Sequence, residues 1–337
     1  MAKITTYDFI DSNTKKTIWL MVLFFISLIV FVYLGILCVS ILRLENVPKE
    51  YSQIYTQSSV VALTNQTAMY VLPIVSAVAI LWILISYYSG HQFILSTVKA
   101  VELNKQNAPE IVKIVEDIAI AAGLPMPKVY SINDTGINAF ATGQDPEHSC
   151  VVLTKGIING LEKGELEGVI AHEMAHIGNR DIKLMLVMVV CISFATIIAE
   201  MLLRISLTAR ANKSKNSAGA IQMFLFVFAI SLYVYGYLLA PLIKFAVSRT
   251  REFQADATAA LITRNPQGLI SALEKISGNS IVKNLSDKQT MSPMCIANPL
   301  IKSKQNTFFS KISGLFATHP PIEERIKALK IMDRYGQ

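Results

Sequence analysis

The run His172-Glu173-Met174-Ala175-His176 sets two imidazoles four residues apart, which on an α-helix is one turn along one face. Both rings then reach one tetrahedral Zn2+, with ring nitrogens at roughly 2.0–2.1 Å from the metal. Glu173 stands next to whatever the pair holds, where a carboxylate serves as a general base. Two histidines and a water leave zinc one protein ligand short. One known completion places a glycine and a third histidine further along the same segment; this chain has Asn179 and Ile182 at those positions, so that route is closed. The bland reading, two satisfied core histidines on a packed helix, stands beside the metal reading on this motif alone.

A second segment supplies a candidate third ligand. Residues 249–260, R-T-R-E-F-Q-A-D-A-T-A-A, place Glu252 and Asp256 at i and i+4. Glu252 completes a His2Glu site, and Asp256 is spaced to accept the outer N–H of a ligand histidine, fixing its tautomer. Read in isolation, the same segment also suits a solvated helix face with Arg249 and Arg251 as local ion-pair partners.

Several elements must position these groups. Residues 164–179 read as an amphipathic helix, with Leu166, Val169, Ile170, Met174 and Ile177 at helical spacings. Before it, a helix over 108–122 stops at Gly123, and short strands are predicted at 128–132, 139–142 and 150–154. After the Glu252 segment come a helix near 267–276, a polar stretch, and a last helix starting at Pro321, with Glu323 and Glu324 in its first turn.

Composition points to a membrane: of 337 residues, 52% are hydrophobic and only 16% charged. Residues 18–42 and 68–88 carry no charge and are long enough to span about 30 Å of hydrocarbon; 184–203 and 220–242 form a second pair. The first span lacks a small-residue cleavage site and reads as a retained anchor. Glu200, inside the third span, is a functional candidate by default, but Arg204 lies one turn on, so pairing near the interface is the simpler reading.

Four spans divide the chain into an N-terminus (1–17), a first catalytic part (89–183) and a second (243–337), all on one side. Basic residues near the span ends favour the cytoplasm for that side, against a basic loop at 204–215. The net charge of +7 is met by anionic headgroups, and no nucleic-acid motif is present. Four cysteines with no C-x-x-C pair suit a reducing compartment and read as small apolar fillers. His91 and His148 read as interface and loop residues. A helix running on unbroken from His176 into the third span would hold the metal about 12 Å above the apolar boundary.

Together with N-A-F-A-T-G at 138–143 and T-H-P-P-I-E-E-R-I at 318–326, the two metal segments resemble the HtpX family of bacterial membrane metalloproteases, related to the type I CaaX prenyl proteases. The likeness runs from about Thr17 to near the C-terminus. Residues 278–310 look longer and more polar than the family pattern. The resemblance implies an α-helical membrane protein with four transmembrane helices and a cytoplasmic α+β catalytic domain of the zincin-like (gluzincin) type with a small β-sheet. It further implies one Zn2+ per chain held by His172, His176 and Glu252, with Asp256 behind them and Glu173 as general base. His319 is the candidate oxyanion partner, though a cap ahead of Pro320 and Pro321 is the equal alternative. Asn138, Ala139 and Phe140 are implied as substrate contacts on a sheet edge where an extended peptide adds by main-chain hydrogen bonds.

The implied role is endoproteolysis of misfolded or damaged membrane proteins, in stress-linked quality control at a bacterial inner membrane. A rival from another class is a membrane scaffold whose metal is structural. Such sites usually use four protein ligands and favour cysteines, whereas three candidates and Glu173 stand here.

Overall fold

The structure, a computed structural model, describes residues 6–45, 57–209, 217–246, 249–278, 295–296 and 320–335. Two compact units emerge. One comprises Met1–Thr17, Ser86–Val190 and Leu239–Gln337; the other comprises Ile18–Ile85 and Cys191–Leu238.

The second unit is built from long apolar helices: α1 (Thr6–Glu45), α2 (Gln57–Thr97), α6 (Asp181–Ala209) and α7 (Ser217–Ala246), parts of which belong to the first unit. Among the described residues, three stretches are long and apolar enough to cross a membrane, Ile18–Ile41, Ser59–Thr97 and Asp181–Thr208. The fourth predicted span falls in α7, where Gln222–Gly236 is a shorter apolar helix. Large apolar side chains such as Trp19, Met69 and Ile74 are exposed on α1 and α2, which suits a hydrocarbon solvent. Inside the unit, Phe31 stacks on Tyr235 with ring centroids 5.1 Å apart, and Ser27 shares a hydrogen bond with the Tyr235 hydroxyl. Glu200 pairs with Arg204 at 3.9 Å, both side chains exposed, as the one-turn spacing predicts.

The first unit holds a four-stranded sheet and the helices around it. The strands are β1 (Val101–Leu103), β2 (Lys128–Ile132), β3 (Ala139–Gly143) and β4 (Ser149–Thr154), in the order β1-β2-β4-β3. β1 and β3 run antiparallel to their neighbours, while β2 and β4 are parallel. All six residues of β4 are buried because it is a central strand covered on both faces. β3 lies at the sheet edge, as the sequence predicts, yet it too is buried throughout. The β3–β4 connection needs Gly143, at φ 150°, because a Cβ there would run into the His148 carbonyl and sit 2.7 Å from the Ser149 Cα.

The helices are α3 (Pro109–Ala122), α4 (Lys155–Gly160), α5 (Lys163–Gly178), α8 (Arg249–Thr263), α9 (Pro266–Gly278) and α10 (Ile322–Tyr335). α3 stops at Gly123, whose left-handed φ of 65° lets the chain fold back. α5 is the axis of the unit, packed against α3, α8, α9 and β3. The sequence pattern predicts an amphipathic α5; instead it is buried on nearly every side from Glu165 to Ile177. Small residues make this possible: a Cβ on Gly168 would lie 2.8 Å from the Leu269 backbone nitrogen, so α9 approaches α5 as closely as only glycine permits.

Helix α5 does not continue into α6. Asn179 caps it, Arg180 adopts a left-handed φ of 58°, and α6 restarts at Asp181. The straight rise of 12 Å predicted from an unbroken helix therefore does not apply. Pro321 sits just ahead of α10, its carbonyl accepting from the N–H groups of Glu324 and Arg325 at 3.0 and 3.3 Å. His319 and most of 278–310 lie outside the described residues.

Glu165 fastens the start of α5. Its carboxylate accepts from the Glu162 N–H at 2.8 Å, from Lys275 Nζ at 2.6 Å and from the Ser271 hydroxyl, tying α5 to α9. Burial works to raise its pKa, and these donors outweigh it, so the carboxyl titrates below its ordinary value. Because the folded pKa is depressed, this stabilisation is present above the unfolded pKa and lost as pH falls through the folded one. Glu165→Gln is expected to lower the unfolding free energy of the detergent-solubilised protein by about 1–2 kcal/mol at neutral pH. The gap from the parent should close in acid, as followed by denaturant unfolding at a series of pH values.

Candidate metal centre

α5 presents His172 and His176 with ring centroids 4.7 Å apart and Nε2 atoms separated by 3.2 Å. α8 brings Glu252 to them: Oε1 lies 3.6 Å from His176 Nε2, and Oε2 lies 3.9 Å from His172 Nε2. One ligand atom from each residue falls within 4.8 Å of the others. Ligands at 2.0–2.1 Å from a tetrahedral ion stand about 3.3 Å apart, so this cluster is the size a single zinc requires. Glu173 is buried on the same turn of α5, close enough for its charge to act on His176.

Each histidine is held from behind. His172 Nδ1 lies 3.0 Å from Asp256 Oδ1, the partner the sequence predicts. Asp256 is in turn gripped by Arg325 of α10, whose Nη2 and Nε donate to its two oxygens at 2.6 and 2.9 Å. Arg325 also donates from Nη1 to the Ile296 carbonyl at 3.0 Å, stands 3.7 Å from Glu252 Oε2, and lies 3.3 Å from the His172 ring nitrogens. His176 Nδ1 lies 3.1 Å from Asp181 Oδ2, and Arg251 Nη1 donates to Asp181 Oδ1 at 3.0 Å.

The charges of this cluster do not cancel. Glu173, Asp181, Glu252 and Asp256 face two guanidiniums, Arg251 and Arg325, and none of the six is more than 6% exposed. Counted by formal charge among the described residues, with neutral imidazoles, the group carries two excess negative charges, the charge of one divalent cation. Burying such an excess uncompensated costs several kcal/mol per charge, so donor set, spacing and charge all fit a divalent metal.

The histidines feel that field differently. Burial, with the Arg325 charge added, pushes His172 down to about 4. Burial pulls on His176 too, but the hydrogen bond to Asp181 and the charge of Glu252 prevail and hold it up at about 9. Burial acts to raise Asp256, and Arg325 overcomes it, keeping the carboxyl far below the usual carboxylate range.

The predicted substrate residues lie on or beside β3. Asn138 turns its carbonyl to Thr154 of β4, accepting from the N–H at 3.1 Å, while its side-chain oxygen accepts from the Ala139 N–H at 3.0 Å. Strand alternation sends the Ala139 carbonyl to the outer side. There the sequence predicts an open edge, but the Ile296 N–H donates to it at 2.9 Å. Phe140 is buried. Cys295, next to Ile296, is buried with its thiol pushed up by burial, as suits an inert filler. His148 pairs with Asp145 at 2.9 Å in the β3–β4 turn, and neither it nor His91 belongs to the cluster.

Arg325, Asp181 and Arg251 carry no assigned metal-site role in the sequence reading. For Arg325 a signal exists: Ile322, Arg325, Ile326 and Leu329 occupy one helix face, so an arginine stands where the pattern calls for an apolar residue. Asp181 gives no such signal, because the turn that brings it back to His176 depends on the left-handed Arg180.

Residues 105–333 match peptidase family M48. The chain belongs to that family. A protease HtpX homologue from Dictyoglomus turgidum is 36% identical over 334 residues, spanning 98% of this chain and 96% of that one. One from Bacteroides fragilis is 35% identical over 276 residues, covering 82% and 85%, and one from Listeria monocytogenes is 40% identical over 259 residues, covering 74% and 83%. Among solved structures, Ste24p of S. mikatae matches with a TM-score of 0.41 at 21% identity, covering 68% of this chain and 51% of that one. The M48 assignment makes this chain a metalloprotease, and its His-His-Glu cluster is of the kind such enzymes use for their metal.

A metal bound by this cluster would compete with a proton for His176, whereas His172 is already neutral above about 4. Between those two pKa values, binding of one zinc should release about one proton from the ligand histidines. Affinity should then rise about tenfold per pH unit, levelling off above about 9. Zinc titration of chelator-stripped protein at about pH 5.5–6, below the ionisation of a zinc-bound water near 7, in buffers of different ionisation enthalpy measures the proton count; a count near two there would place His172 wrongly.

Proposed function

We propose that this M48 protease is a zinc-dependent endopeptidase that cleaves unfolded, misfolded or damaged membrane proteins at the cytoplasmic surface of a bacterial inner membrane. The observation that carries the reading is the cluster of His172, His176 and Glu252, buried except for a half-buried His176, with Glu173 on the same turn of α5.

His172, His176 and Glu252 would hold one zinc per chain. When bound, the metal supplies Lewis acidity, polarising a carbonyl and bringing the pKa of a water to about 7. Glu173 accepts the proton of the attacking water and delivers it to the leaving amine. A substrate carbonyl turning tetrahedral needs a second donor, and His319 is the candidate from its place in the T-H-P-P segment. Asn138, Ala139 and Phe140, on or beside the edge strand β3, are the candidate contacts to the peptide backbone, with the Ala139 carbonyl itself already taken by the Ile296 N–H. Binding through the backbone tolerates many side chains, which suits an enzyme whose substrates share only loss of structure.

Four spans with an inward-facing N-terminus bring both catalytic segments to the cytoplasmic side, the side favoured by Lys15, Lys16, Lys99, Lys105, Arg180, Lys183 and Lys244. Loops and tails of damaged membrane proteins pass the active site there. Lipid surrounds the spans, and no nucleic acid takes part.

Glu173→Gln is expected to retain zinc at parental stoichiometry and to lower kcat on a casein-like unfolded substrate by about 10²–10⁴-fold. Metal analysis and a fluorogenic cleavage assay on the same preparation measure both. A variant as active as the parent rules out Glu173 as the proton carrier and leaves the scaffold reading.

A further inference from the structure

We infer that Asp181, anchored by Arg251, is the positioning residue of His176, and that the metal is therefore held by two separate His–Asp–Arg chains, only one of which the E-x-x-x-D spacing reveals. The inference rests on the metalloprotease reading of His172, His176 and Glu252.

The geometry repeats itself across the cluster. On one side His172 Nδ1 meets Asp256 Oδ1 at 3.0 Å, with Arg325 on the carboxylate. On the other, His176 Nδ1 meets Asp181 Oδ2 at 3.1 Å, with Arg251 on Oδ1 at 3.0 Å. In both, the carboxylate takes the imidazole nitrogen that faces away from the cluster, leaving Nε2 toward Glu252. A carboxylate so placed fixes the tautomer and the ring plane and strengthens the Nε2 lone pair as a donor. An arginine behind it removes the carboxylate's freedom to turn away.

The two chains draw on different parts of the fold. Asp256 and Arg325 come from α8 and α10. Asp181 is the first residue of α6, and Arg251 lies on α8 one position before the ligand Glu252. Because Arg251 and Glu252 are adjacent on α8, the same helix that supplies the third ligand also secures the partner of the second. The left-handed Arg180 gives this connection its purpose: it turns the chain so that residue 181 comes back to the ring of residue 176. A helix running straight on would carry residue 181 about 7.5 Å along the axis from residue 176, out of reach of its ring nitrogen.

The test uses the full-length protein in detergent. Asp181→Asn is expected to weaken zinc binding by about 10–100-fold in competition with a chromophoric chelator. Arg251→Gln should weaken it by a smaller factor, at least threefold. The double variant should be no worse than Asp181→Asn, because the arginine acts through the carboxylate. The d–d spectrum of the cobalt-substituted protein should change in Asp181→Asn, a signature that loss of fold stability alone does not produce. Zinc affinity within twofold of the parent in Asp181→Asn, or a fully additive double variant, overturns the inference. If Asp181→Asn does not fold, Arg251→Gln decides: unchanged zinc affinity and an unchanged cobalt spectrum overturn it. Failure here is distinct from failure of the enzymatic reading, which would appear as a parent that binds no zinc or a Glu173→Gln variant with full activity.

Discussion

Among the described residues, four carboxylates and two guanidiniums are sunk together in the core, and their formal charges do not sum to zero. That imbalance constrains everything around it. A buried ion pair roughly breaks even against apolar packing, whereas an unmatched buried charge is among the most destabilising features a core can hold. A divalent ion, or in part a proton, drawn into the cluster relieves that excess. The raised pKa of His176 is the second solution: at about 9 the imidazole retains a proton against the pull of burial. Metal and proton would answer the same electrostatic demand, so a histidine this basic is compatible with the proposed metal site.

The fold can be read as the means of assembling this imbalance. α5 is short, small-residue-rich and buried on nearly all sides, which lets α8 and α9 approach it closely. Gly168 permits the α9 contact, and Glu165, tied to Ser271 and Lys275, fixes the first turn. With that end fixed, His172 and His176 emerge toward α8, where Glu252 and Asp256 sit one turn apart. α10 closes the arrangement through Arg325, fully buried and bonded to Asp256 and to the Ile296 carbonyl. A single guanidinium thereby connects the support of a ligand histidine with the Ile296 segment, whose N–H sits on Ala139 of the edge strand.

What the sequence discloses and what it hides follow from the range of the interactions. His172, Glu173, His176, Glu252 and Asp256 are legible because helical spacing is local and ligand chemistry restricts the residue types. The strands at 128–132, 139–142 and 150–154 are legible because short β-forming runs between turn residues are also a local signal, and β3 does fall at the edge of the described sheet. The covering of that edge by Ile296 is not, since it joins residues far apart in the chain through backbone atoms that carry no residue-type signature. Asp181 is hidden by a backbone event, a left-handed arginine that no propensity announces. Arg325 is visible as a polar interruption of an apolar face, yet nothing local says whether such an interruption is solvated or buried.

The depth of α5 also bears on how the site tolerates change. An amphipathic helix with one wet face would let its histidines re-orient into solvent, and only the ligand bonds would hold them. Here the ring nitrogens remote from Glu252 are committed to Asp256 and Asp181, and each carboxylate is committed to an arginine. The ring directions are thus set by the core itself; on the proposed metalloprotease mechanism, little reorganisation would remain when charge develops on a peptide carbonyl. The same commitments explain why buried carboxylates persist at a position where apolar residues would pack as well: their value lies in fixing direction rather than in net stability.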